Sequence, residues 1–413
     1  MIQASSSLCR LLCGVLALYF FAAIPASALP DFASVQRNYV SSEATLLARD
    51  GRLLHRLRLD QTVRRLAWTP YAEISPALIR AVIVSEDKRF FEHDGVDWPA
   101  AGKAAWNNFW GGRTRGASTL TMQLVGLLDD ELQRPGRRSI FGKISQSTAA
   151  LRLEGFWTKQ QIAEAYLNLV SFRGELQGVG AMSRQLFGKW PYGLDERESA
   201  LASALLRSPN AAPALVVKRA CMLLKEMNRA SECTGLDSFA AQALSGALGA
   251  AAPANGEQLA PHLARQLLTE AGKAVRSSLD ADLQGFARDA LRRHLSALHR
   301  QNVEDGAVLV LDNDSGEILA WVGSSGDLSG AAEVDGVTAL RQAGSTLKPF
   351  LYAQAFEQRS LTPASLIEDA PLALDTGNGL YAPQNYEPNY KGWVSARVAL
   401  AGSLNVPAVR TLV

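Results

Sequence analysis

The chain has 413 residues, 47% of them hydrophobic and 20% charged, which excludes a disordered or low-complexity protein and supplies apolar material for two or three domains with cores of their own. A formal net charge of +2, with no lysine and arginine run and no interleaving of basic with aromatic residues, argues against nucleic acid as a partner. The five histidines are scattered and no cysteine pair has zinc-site spacing, so no protein-held metal centre is expected.

Arg10 precedes an apolar stretch from Leu11 to Ile24 and then Pro25-Ala26-Ser27-Ala28, the pattern of an export segment over residues 1–30. Its small residues fit a cleavage site, while the apolar length approaches the ~20 residues that span a bilayer, so a removed signal and a retained anchor both fit. Cys9 and Cys13 belong to this segment. Cys221 and Cys233, in an exported chain, fit either one disulfide or two buried thiols. Residues 31–65 read as a strap in which Ala44 to Leu47 and Leu53 to Leu57 flank Asp50-Gly51, a hairpin signal.

Residues 66–213 read as helical almost throughout. Ser75 is a natural N-cap with Pro76 behind it, and Leu78, Ile79, Val82 and Ile83 recur at helical spacing. That helix delivers Glu86 to the edge of an apolar layer, where a carboxylate is suited to act as a general base. Taken alone, an acidic pair at a helix end is more often a solvated terminus. The polar and aromatic knot Ser85 to Gly95 is followed by a flexible Gly111-Gly112-Arg113-Thr114 loop and then by Arg115 to Leu124. Further along, Ile144, Ala149, Leu151 and Leu153 mark a helix over Lys143 to Glu154, and Thr158 with Gln161 forms a capping box for the next. Tyr166 to Phe172 leads to Gly174, Gly178 and Gly180, and Leu194 to Ala202 opens a last helix with acids in its first turn.

Residues 214–300 read as an alanine-rich connecting region with a loop over 249–256. Ala307 to Leu311 and Ile318 to Val322 are strands around the turn residues Asn313 to Gly316. Ser345 and Lys348 stand three apart on one helical face, so that the amine can take the hydroxyl proton, and Pro349 requires the helix to begin near Gly344. Ser403 and Asn405 can supply a hydroxyl and an amide to the same pocket.

The run Glu86-Asp87-x-x-Phe90-x-x-His93-x-Gly95 followed by Gly116-x-Ser118-Thr119-x-Thr121-x-Gln123 resembles the glycosyltransferase domain of class A penicillin-binding proteins. Ser345-x-x-Lys348 followed by Ser403-x-Asn405 resembles their transpeptidase domain. The resemblance implies a multidomain chain: a mainly α, lysozyme-like glycosyltransferase domain over 66–213, then, over 301–413, an incomplete α/β transpeptidase domain whose Lys-Thr/Ser-Gly motif would lie beyond Val413. It implies polymerisation of lipid II into glycan strands with release of undecaprenyl diphosphate, at the bacterial inner membrane, with a single N-terminal anchor and the catalytic domains in the periplasm. Glu86 would be the base. Asp87, Phe90, His93, Gly116, Ser118, Thr119, Gln123, Arg138, Lys143 and Gln146 would contact substrate, with Lys143 and Arg137 or Arg138 as cations near the diphosphate. Ser345, Lys348, Ser403 and Asn405 would serve acyl transfer, and β-lactams would bind only a completed transpeptidase domain. No protein-bound cofactor is implied, and magnesium bridged by the substrate phosphates is compatible with the chemistry.

One stretch departs from the family. Where the pattern is Arg-Lys-x-x-Glu, this chain has Gly142-Lys143-Ile144-Ser145-Gln146. An amide cannot act as a proton donor in the way an acid does, though it can orient phosphate or sugar. Glu154 is two turns on, about 12 Å by helical rise, too far to replace it. The Gln form, with Phe172-Arg173-Gly174 and Leu176 to Gly180, resembles the penicillin-binding protein 1C branch. The alternative it leaves open is a catalytically weak module that holds precursor or cell-wall partners.

Overall fold

The structure, a computed structural model, describes residues 29–109, 118–128, 140–250, 258–377 and 379–413. The export segment, the Gly111 to Thr114 loop, Gly116, Arg137, Arg138 and most of the 249–256 loop lie outside these residues. The chain divides into two compact units, residues 1–337 and 338–413.

In the first unit the expected hairpin forms between β1 (Glu43–Leu47) and β2 (Leu53–Arg58), antiparallel, with Ala44 opposite Leu57. The helical region follows as α1 (Pro76–Glu86), Trp98–Phe109, α2 (Leu120–Leu128), α3 (Ile140–Glu154), α4 (Lys159–Leu169), Val179–Phe187 and α5 (Glu196–Leu206). Ser75 caps α1 by accepting from the Ala77 amide, and the Thr158/Gln161 capping box opens α4. Asp195 and Glu198 make a second capping box at α5. One continuous core holds these helices together, with Leu78, Leu124, Leu153, Tyr166 and Leu205 essentially without solvent contact.

The helical body does not end at residue 213. Helix α6 (Pro213–Glu226) packs along α5, and Val216, Ala220, Leu224, Leu236 and Ala240 join the same core. The alanines that make this stretch look like a nondescript linker are what let its helices approach the body closely. A disulfide joins Cys221 of α6 to Cys233, which selects between the two states open in the sequence. The later part of the supposed connection is structural as well. Its strand β3 (Ala274–Arg276) adds to β1 in parallel, so that a three-stranded sheet in the order β2-β1-β3 unites the strap with residues far along the chain. The long return from β2 to β3 is invisible to local pattern, because a parallel pairing needs no turn signal. Beyond it, Val308–Leu311 and Ile318–Val322 form the expected antiparallel hairpin, packed on helix Ala281–Leu298.

The second unit places a short 3-10 turn, Gly344–Leu347, ahead of α7 (Lys348–Glu357). Strands Leu366–Asp369 and Gly392–Ser395 pair antiparallel, and helices Ala396–Ala401 and α8 (Asn405–Leu412) follow. Tyr352, Ile367, Val394, Ala399 and Leu404 make its small core.

Candidate active sites

Glu86 is the last residue of α1, and its side chain is only 10% exposed. Its Oε1 accepts from Ser85 Oγ at 2.8 Å and from Arg207 Nε at 3.2 Å, while Oε2 has the longer 3.3 Å contact to Gln123 Nε2. The orientation of that amide follows from its other end. Tyr166 OH donates to Gln123 Oε1 at 2.9 Å. Burial, with the Glu86 charge adding to it, pushes the Tyr166 phenol far above its ordinary range, so it stays a donor. A relay Tyr166, Gln123, Glu86 therefore fixes the carboxylate with one oxygen more lightly engaged than the other.

Asp87 and His93, expected to touch substrate, are instead turned inward. Asp87 is 6% exposed; its Oδ2 accepts the amide of Leu120, the first residue of α2, at 3.0 Å, and its Oδ1 lies 3.0 Å from His93 Nε2. These bonds tie the end of α1 to the start of α2 and satisfy a donor that a helix N-terminus leaves orphaned. Phe90 is fully buried beneath the Lys159 ammonium, which sits 4.6 Å from its ring centroid, donates to the His93 carbonyl at 2.5 Å and pairs with Glu154 at 2.7 Å. Glu154 is thus committed to Lys159 and Thr121 inside the fold and does not stand in for the missing second carboxylate.

Thr119 caps α2: its hydroxyl accepts from the Met122 amide at 3.2 Å and donates to the Gly95 carbonyl at 2.6 Å. Gly95 has φ of +80°, and a Cβ there would come within 2.7 Å of the Ala150 backbone in α3, so only glycine fits. Ser118 is exposed at the mouth of α2. On α3, Lys143 is exposed, whereas Gln146 is half-buried with its Nε2 only 2.8 Å from where a Cβ on Gly126 would stand. A side chain at Gly126 of α2 would displace the flexible end of Gln146 from this position.

The second constellation assembles differently from the expected one. Ser345 is exposed in the 3-10 turn, and Lys348 begins the α-helix proper. The Lys348 ammonium bonds the Ser403 carbonyl at 2.5 Å, the Ser403 hydroxyl at 3.1 Å and Asn405 Oδ1 at 2.5 Å, with no hydrogen bond to Ser345 among the described residues. Burial lowers the Lys348 pKa, which favours the neutral amine that a proton-accepting role needs. Ser403 holds φ of +50°, a rare backbone state for a residue with a side chain. Asn385, which the sequence did not single out, accepts from the Asn405 amide at 2.9 Å while its own Nδ2 donates to the buried Asp369 at 2.8 Å, and so sets the start of α8.

The family model described as transglycosylase matches residues 50–228, and the penicillin binding protein transpeptidase domain model matches residues 306–412. The chain belongs to the class A penicillin-binding proteins. It is 33% identical over 387 residues to penicillin-binding protein 1C of Escherichia coli K12, covering 90% of this chain and 48% of that protein. It is 31% identical over 394 residues to penicillin-binding protein 1B of Vibrio cholerae, covering 89% and 50%. The biosynthetic peptidoglycan transglycosylase of Rhodospirillum centenum is 41% identical over 142 residues, 34% of this chain and 60% of that protein. The chain spans about half the length of the two penicillin-binding proteins it matches here.

For this penicillin-binding protein the structure adds three groups that the sequence does not single out: Arg207 on Glu86, Tyr166 behind Gln123, and Lys159 over Phe90. A basic residue after a helix's last turn is ordinary dipole complementarity, and a tyrosine at an apolar helical position is ordinary core. Neither carries a local signal. Among the described residues no cluster of acidic, histidine or cysteine side chains is arranged to hold a metal ion. No helix among them is long and apolar enough to cross a membrane.

Proposed function

We propose that the first unit polymerises lipid II into glycan strands with release of undecaprenyl diphosphate, working at the outer face of the inner membrane. The observation that carries this reading is the carboxylate of Glu86, mostly buried at the end of an apolar helix, with Oε1 held by two donors and Oε2 left to a single long contact. In the reaction the 4-hydroxyl of the acceptor glucosamine forms a bond to the anomeric carbon of the donor muramyl sugar, and the bond from that carbon to the lipid diphosphate breaks. The hydroxyl proton passes to Glu86, and the charge left on the diphosphate is met by cations. We assign Lys143 to this role, with Arg137 or Arg138 as further candidates. Magnesium carried by the substrate phosphates is compatible with the same step.

Gln146 needs only to orient the donor in this scheme, because a diphosphate leaves readily once its charge is neutralised. The test is polymerisation of labelled lipid-linked disaccharide by the purified chain and three variants. Lys143→Ala is expected to lower turnover roughly 30-fold, below the 10²–10³ of a buried donor because this lysine is exposed. Gln146→Ala should lower it only about 3-fold, the scale of a lost neutral hydrogen bond. Gln146→Glu should not be required for activity. An inactive parent rescued by Gln146→Glu would overturn the cation-only account and favour a precursor-holding module instead.

A further inference from the structure

A general base has to be held still while one of its lone pairs stays open to the incoming hydroxyl. The donors on Glu86 are distributed in that way: two on Oε1, one long contact on Oε2. Arg207 contributes twice. Its Nε donates to Glu86 Oε1 at 3.2 Å, and its Nη2 donates to the carbonyl of Ser85, the residue just before the base. One guanidinium therefore grips both the backbone that carries the base and the oxygen turned away from Gln123. Arg207 is the C-cap of α5, a helix packed along α1, so the grip is anchored to the body of the unit and not to a loose loop.

Fold stability does not account for this arrangement. The Arg207 side chain is 51% exposed, and half-exposed ion pairs stabilise folds little. A lysine in its place would present a compact ammonium on a flexible stem, whereas the planar fork of arginine holds its donors at a fixed spacing toward both acceptors. We propose that Arg207 is the positioning residue of the glycosyltransferase base, clamping Oε1 of Glu86 so that Oε2 is presented to the acceptor hydroxyl. This inference rests on the reading of Glu86 as the base given above.

The experiment measures kcat and KM for polymerisation of labelled lipid-linked disaccharide by the purified chain, by Arg207→Ala and by Arg207→Lys, together with thermal melting. Arg207→Ala should lower kcat roughly 30-fold with KM changed by less than about 2-fold, the pattern of a group that acts only as the bond is made. Its melting temperature should shift by less than about 2 °C, as for an exposed pair. Arg207→Lys should recover only part of the loss, and added methylguanidinium should raise the rate of the Ala variant but not of the parent. The inference is overturned if the Ala variant keeps more than half of the parental kcat, if KM rises while kcat is kept, or if melting falls in proportion to activity. An active parent with an indifferent Arg207→Ala overturns this inference alone, whereas an inactive parent overturns the proposed function and this inference with it.

Discussion

Glu86→Gln is expected to lower the polymerisation rate by on the order of 1,000-fold, within the range lost when a general base is removed. The fold should survive. The amide keeps the size of the carboxylate, and its oxygen can still accept from Ser85 Oγ and Arg207 Nε, the two contacts on Oε1. The new NH2 then faces Gln123 Nε2, where the carboxylate accepted at 3.3 Å, and that long contact has room to loosen. What the amide cannot do is take the acceptor proton. Rates on labelled lipid-linked disaccharide, with thermal melting in parallel, separate the two effects. More than a few percent of parental rate in a folded Glu86→Gln protein would remove Glu86 from the role of base.

Asp87→Ala is expected to act on the fold, with a loss of about 3–4 kcal/mol, because two buried donors lose their acceptor at once. These are the Leu120 amide that opens α2 and the His93 ring, whose Nδ1 already has no hydrogen-bond partner. With the tie gone, the end of α1 and the start of α2 separate, and the Gln123 contact to Glu86 goes with them. Asp87→Asn should cost less than half as much, since the amide oxygen can still accept from Leu120 and its nitrogen can donate to the other tautomer of His93. Chemical denaturation of both variants checks the ordering. Equal losses from the two substitutions would mean that charge, and not hydrogen-bond geometry, is what Asp87 supplies.

Several elements were legible from the chain because their determinants are local. Ser75 and Pro76 start α1, Thr158 and Gln161 start α4, and Asp50-Gly51 turns the hairpin. Glu86, at the end of an apolar run, could be named as the candidate base for the same reason. Asp87, Phe90 and His93 were legible as special but not as to their purpose. The structure buries Asp87 and Phe90 and nearly closes the His93 side chain from solvent, so that Asp87 ties the end of α1 to the start of α2. A polar residue in a motif looks the same from the sequence whether it faces substrate or closes a buried hydrogen bond, because the spacing that brings it to the site is identical in both cases.

By itself, then, the sequence determined the two motif sets, their order and the helical character of the first domain, all of which depend on neighbours within a turn or two. Only the tertiary structure decided that α6 belongs to the helical core, that β3 returns to pair with β1, and that the Lys348 ammonium bonds Ser403 and Asn405 in place of Ser345. It also decided that Arg207 meets Glu86. Each of these joins residues far apart in the chain, whose partners are chosen by packing of whole elements and not by any preference the residues carry alone.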